Sequence, residues 1–158
     1  MAPRKVVITG MGLVTAVGLD TESNWKALTS GTGGVGPIEG MDLEGFKTTF
    51  AAQIKDFDPH TCMDPKEARK ADRFVQLAMS ASVQAMDQAA LGELADPFRA
   101  GVIIGSGIGG MLTFEEQHSR FLKRGARGVS PLFIPMMIGD MASGLVSIRY
   151  GFRGANYC

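Results

Sequence analysis

The chain has 158 residues, enough for one domain that buries about two-thirds of its unfolded surface. Its 16 basic and 16 acidic residues cancel, so whole-chain charge gives no argument for binding nucleic acid or a membrane surface. No apolar run reaches the ~18 residues of a membrane span, residues 6–8 are too short for the core of a secretory signal, and two cysteines make no disulfide framework. The composition describes a soluble protein of a reducing compartment. Its 21 glycines and 10 methionines add tight turns, close backbone approach and adaptable apolar surface.

In chain order, residues 6–9 read as a buried strand that runs into Gly10 and Gly12. A dinucleotide fingerprint needs a further glycine at its sixth position and a helix that starts at once. The sixth position is Thr15, and the first helix start waits until Asp20 or Thr21, so the pattern reads as a close-packed turn. Residues 21–28 form a short helix with Trp25 and Leu28 on its apolar side. The glycines at 31, 33, 34 and 36, followed by Pro37, make a long turn region, and residues 50–54 a second short strand.

The clearest helix runs from 64 to about 91. Asp64 suits its cap, Pro65 its first position, and Glu67 sits three residues after the cap. Phe74, Leu77, Ala78, Ala81, Ala85 and Ala89 supply an apolar stripe whose small residues predict a close-packed neighbour. GVIIGSGIGG, residues 101–110, repeats the opening pattern of buried strand and glycine turn. A helix over 111–122, a loop over 124–130 and a helix over 135–150 follow, the last interrupted by Gly139 and Gly144, with Met137, Met141, Leu145 and Ile148 as its buried line. Strands alternating with helices indicate an α/β layered fold with largely parallel pairing.

Basic residues gather twice. Lys66, Arg69, Lys70 and Arg73 fall at i, i+3, i+4 and i+7, which on one long helix puts all four on one face. At a helix start they would oppose the helix dipole, which points to a use other than stability. Arg120, Lys123, Arg124 and Arg127 form a second group with no acid after Glu116. His60 and His118 lie among polar neighbours and read as solvated. No Cys/His cluster has metal-ligand spacing, and no glycine–lysine phosphate loop occurs.

VVITGMGLVTAVG, KEARKADRF, IGSGIGG, SPLFIP and YGFRGAN occur in that order, and together they resemble β-ketoacyl-acyl-carrier-protein synthases, especially the elongating condensing enzymes of fatty-acid synthesis. The resemblance covers the whole chain. It implies a thiolase-like layered αβαβα sandwich of which residues 1–158 are the incomplete N-terminal part, with no second domain. It further implies a cytoplasmic homodimer without metal or cofactor, whose partner is an acyl carrier protein bearing acyl and malonyl thioesters. The nucleophilic cysteine and two assisting histidines are expected downstream, so no catalytic residue is assigned within this chain. Cys158, with no following helix in this sequence to activate its thiol, is not expected to be that nucleophile.

By the same resemblance Gly107, Ile108 and Gly109 border the acyl chain. Residues 130–135 and the methionine-rich helix lie at the homodimer interface, with Phe133 reaching toward the partner's acyl pocket. Lys66, Arg69, Lys70, Arg73, Arg124 and Arg127 hold the acidic carrier. Two alternatives remain open: a non-elongating partner of chain-length-factor type, and a carrier-binding module without catalysis. The residue that separates the first from an elongating enzyme is expected beyond position 158.

Overall fold

Residues 3–158 are described by a computed structural model. Helix α1 (Thr21–Thr29) starts where its cap dictates: Asp20 accepts from the Ser23 amide at 2.7 Å, and Ser23 Oγ accepts from the Asp20 amide. Asn24 is the residue it buries. The Asn24 amide donates to the carbonyls of Gly18 and Asp20 and accepts from Thr15 Oγ1. Trp25 and Leu28, expected on a buried side, are exposed instead, because the helix packs onto a hydrogen-bonded polar loop. Strands β1 (Val35–Pro37) and β2 (Phe50–Ala52) pair antiparallel with Pro37 opposite Phe50. β1 lies inside the stretch expected to be only a turn; a two-stranded ribbon is all edge, where a proline's missing N–H costs least.

The long helix expected over 64–91 is two helices, α2 (Pro65–Ala68) and α3 (Arg73–Ala89). The break has a local cause. Asp72 takes extended backbone geometry and caps α3 through the Phe74 amide, while Gln76 Nε2 donates to the carbonyls of Ala68 and Ala71. Side chains thereby replace helical hydrogen bonds that a continuous helix would make. Asp64 still caps α2, through the Lys66 amide at 2.7 Å.

α3 is the central beam. Its partner α6 (Met141–Tyr150) packs across it, and Val75, Met79, Ala142 and Val146 are buried between them with Cys62, Met63, Ala68, Ala71 and Val102. Within α6 the deeply buried residues are Ala142, Ser143 and Val146, whereas Ile148 is 75% exposed; the expected buried line is rotated. On its other side α3 receives residues 10–13. A Cβ on Gly10 would stand 2.0 Å from the Ala85 carbonyl oxygen and one on Gly12 1.9 Å from that of Ala81. Met11 N and Leu13 N donate to the side chains of Gln88 and Gln84. The small-residue stripe therefore serves the close approach expected of it. Residues 6–8, expected as a buried strand, have no strand partner among the described residues, and Val6 is 93% exposed.

Strand β3 (Val102–Ile103) pairs parallel with β4 (Asn156–Tyr157). Ser143 Oγ donates to Asn156 Oδ1, and Asn156 Nδ2 donates to Ser143 O and Ser147 Oγ, which ties β4 to α6. Between β3 and α6 lie α4 (Met111–Arg124), a 3-10 turn (Gly125–Gly128) and α5 (Phe133–Met137). The single helix expected over 135–150 divides at Ile138, because the Met137 carbonyl accepts from Gly110 N instead of a following helical amide.

Candidate functional site

Parallel strands end at the same level, so the residues after β3 and β4 emerge side by side, the position at which α/β folds place ligands. Three segments meet there. The turn 105–110 is closed by Ser106 Oγ, which accepts from Gly109 N at 3.0 Å. Gly109 has φ +77, and a Cβ on it would lie 2.5 Å from the Met137 carbonyl oxygen; Gly110 N donates to that same carbonyl at 2.7 Å. The end of β4 closes the group, since a Cβ on Gly139 would sit 3.0 Å from Cys158 Sγ and 3.9 Å from Ser106 Cβ. Gly105 and Gly107 are different, with open space where a Cβ would be. Ile108 is 71% exposed, so this isoleucine is not a core residue of the chain.

Phe133 is half-buried, its ring 6.2 Å from that of Phe114, which in turn stacks on His118. The segment carrying it is pinned to α4 by Gln117, whose buried Oε1 accepts from Ser130 N at 2.7 Å. The turn 105–110 and α5 are thus brought together through Met136–Met137 and Gly109–Gly110. His60 and His118 are both exposed, as expected.

The basic residues do not share one helical face. Lys66 lies in the first turn of α2, Arg69 is its C-cap and Lys70 follows in the break; all three are exposed. Arg69 and Lys70 therefore sit at a helix end that favours cations, and the dipole argument holds for Arg73, the first residue of α3. Arg73 opens α3, but its guanidinium lies 4.6 Å over the Phe57 ring and donates to the Phe57 carbonyl, a structural engagement. Arg120 pairs with Glu116 at 2.5 Å. Arg124 ends α4 and Arg127 lies in the following 3-10 turn, both exposed. Lys123 and Arg124 complement the C-terminal end of α4.

Asp72, Thr113 and Gln117 organise this region and were not singled out from sequence. Asp72 is 6% exposed and its Oδ2 accepts from Thr113 N at 2.7 Å. Gly110, the N-cap of α4, has no side chain to cap with, so Asp72 caps α4 as well as its own helix. An Asp directly before an apolar run was a cap signal; nothing in sequence announces its second bond. A cleft of about 710 Å3 opens beside the site, lined by Met63, Met79, Met136, Met141 and Leu145 among others. Cys62 lines it too, but burial pushes its thiol pKa up, the opposite of an activated nucleophile. Cys158 is exposed. Among the described residues no group of three or more His, Cys, Asp or Glu side chains could hold a metal ion, and no helix is long and apolar enough to cross a membrane.

Residues 3–158 match the family described as "Beta-ketoacyl synthase, N-terminal domain". The chain belongs to the β-ketoacyl synthase family. It is 46% identical over 158 residues to the 3-oxoacyl-[acyl-carrier-protein] synthase 2 of Vibrio harveyi, covering 99% of this chain and 38% of that protein. The synthase 2 of Staphylococcus aureus (strain COL) is 44% identical over 156 residues, with 97% and 37% covered. The chain thus spans less than two-fifths of the length of these relatives. Among solved structures, "The ishigamide ketosynthase/chain length factor" superposes with a TM-score of 0.83 at 27% identity, over 99% of this chain and 39% of that one. A type II PKS acyl-carrier protein in complex with its ketosynthase gives 0.78 at 23% identity, over 96% and 40%. The architecture is therefore the N-terminal part of a thiolase-like α/β ketosynthase fold.

Proposed function

We propose that this chain is the N-terminal part of a 3-oxoacyl-acyl-carrier-protein synthase. The reaction is the decarboxylative condensation of an acyl group with malonyl-acyl carrier protein in fatty-acid elongation. The observation that carries it is the turn 105–110: glycines with open space beside them and an exposed isoleucine, at the shared end of two parallel strands. Glycines that pack against nothing leave room for a ligand to approach backbone. In this reading Gly107, Ile108, Gly109 and Phe133 border the acyl chain, while Lys66, Arg69, Lys70, Arg124 and Arg127 face the acidic carrier. Arg73 contributes least, being held by Phe57. The ketosynthase neighbour seen with its acyl-carrier protein supports a carrier as partner.

The chemistry divides in two. A downstream cysteine thiolate takes the acyl group from its carrier thioester, releasing the carrier thiol. Malonyl carrier then loses CO2, and its α-carbon attacks the acyl-enzyme carbonyl, forming a carbon–carbon bond and restoring the thiolate. The reaction as proposed uses no cofactor. Residues 1–158 act as one incomplete ketosynthase domain, with 130–135 and the following methionine-rich segment at a homodimer interface. The unpaired cysteines suit a reducing compartment, and the proposal places the protein in the cytoplasm.

The test supplies the full-length protein with acyl carrier and labelled malonyl carrier. Formation of 3-oxoacyl carrier with release of labelled CO2 supports the reading; residues 1–158 alone should form none. A second reading is a chain-length-factor partner, favoured by the ketosynthase/chain length factor likeness. It predicts association with a ketosynthase and no acyl transfer to the protein itself.

A further inference from the structure

Asp72 stands between the two parts that the proposed function uses. We propose that its carboxylate is a positioning group that holds the basic carrier-facing segment in register with the glycine turn of the acyl site. This inference rests on the proposed function.

The geometry carries it in three ways. Asp72 Oδ1 accepts from Phe74 N at 3.3 Å and Oδ2 from Thr113 N at 2.7 Å, so one buried side chain caps the starts of both α3 and α4. A Cβ on Gly110 would lie 3.0 Å from Asp72 Cγ, so the last residue of the turn is in contact with it. Upstream, Arg69 and Lys70 reach Asp72 through a non-helical break that the Gln76 side chain secures.

Capping α3 alone does not require this arrangement. Serine or asparagine caps as well as aspartate and can do so at the surface. Burying a carboxylate is costly unless it is hydrogen-bonded, and among the described residues Asp72 has no cation within ion-pair distance. Two helix N-termini supply the compensation, and each carboxylate oxygen bonds one of them. A substrate that arrives on a carrier needs such register. The carrier docks at one place, its acyl group reacts at another, and a displacement of 1 Å can cost about 100-fold in rate.

Two variants of the full-length protein separate register from stability. Asp72→Ser keeps an oxygen for the Phe74 amide but is too short to reach Thr113. Thr113→Pro keeps Asp72 and removes the Thr113 N–H, one of the amides in the first turn of α4 that no helical carbonyl receives. Each should lower kcat with carrier-linked acyl substrate about 10-fold, by loss of register. KM for the carrier should stay within about 2-fold, because no surface charge changes. Turnover of small acyl thioesters should also change less than about 2-fold, and the double variant should be no worse than either single one, as expected for one shared interaction. Equal losses on both substrates, or a lowered Tm with unchanged kinetics, would overturn the inference while leaving the functional reading intact. A wild-type protein that makes no condensation product would overturn both, and is recognised before any variant is measured.

Discussion

The two strand-to-glycine junctions share a pattern in sequence and part company in space. In the first, Gly10 and Gly12 press against carbonyl oxygens of α3, and their missing side chains are accounted for by packing. In the turn of the second, residues 105–110, Gly109 and Gly110 press against the backbone of residues 136–139, whereas Gly105 and Gly107 face open space. The first junction is a joint between elements. The second is a joint with an opening in it, and that difference, invisible in the residue types, separates a structural motif from the proposed acyl site.

The largest effect should come from filling the first junction. Gly12→Ala would put a methyl group 1.9 Å from the Ala81 carbonyl oxygen, where only backbone movement makes room. A loss of about 3 kcal/mol or more is expected, measured by denaturant unfolding. A loss under about 0.5 kcal/mol would show that residues 10–13 do not lie on α3 as described.

Next in size is the proposed docking surface. Reversing charge at Lys66, Arg69 and Lys70 together in the full-length protein should raise KM for carrier-linked substrate about 10-fold, an effect that weakens in high salt. Turnover of small acyl thioesters should survive. Equal losses on both substrates would make the segment structural.

Asp20→Ala should cost about 1 kcal/mol at neutral pH, the value of a helix cap. The Ser23 amide and hydroxyl hold the Asp20 carboxyl below its ordinary pKa, so the cap's contribution is complete above the unfolded-state pKa of about 4. It is lost as pH falls through the lowered folded value. A wild-type advantage that persisted in strong acid would contradict the cap.

Gly107→Ala gives the smallest stability change, within about 0.5 kcal/mol, since nothing lies within 4 Å of the added methyl. A large loss of Tm would make the second junction a packed joint like the first.

Much of this was legible in sequence, and the failures have physical causes. The α1 cap, the β2 strand, the α4 helix and the close approach to the alanine stripe follow from local rules, and the family motifs indicated the fold. The break between α2 and α3 did not, because Lys66, Arg69, Lys70 and Arg73 keep perfect helical spacing across it. What breaks the helix is Asp72 capping α3 through the Phe74 amide and Gln76 bonding back to Ala68 and Ala71, while a bond from the distant Thr113 amide holds Asp72 in place. The opening around Ile108 was hidden for a similar reason: glycine reads alike whether it packs or gives access. Residues 6–8 show the converse, since β-branched residues announce a buried strand although no described residue pairs with them.

The central claim is that the turn 105–110 bounds an acyl chain delivered on a carrier. The most direct test is the acyl-length profile of Ile108→Phe in the full-length protein, read by mass spectrometry of products from carrier-linked substrates. Ile108 is exposed, so Tm should hold while long acyl chains lose about 10-fold or more in kcat/KM and short ones stay within about 2-fold, the mark of a narrowed pocket. An unchanged length profile at full activity would contradict the account.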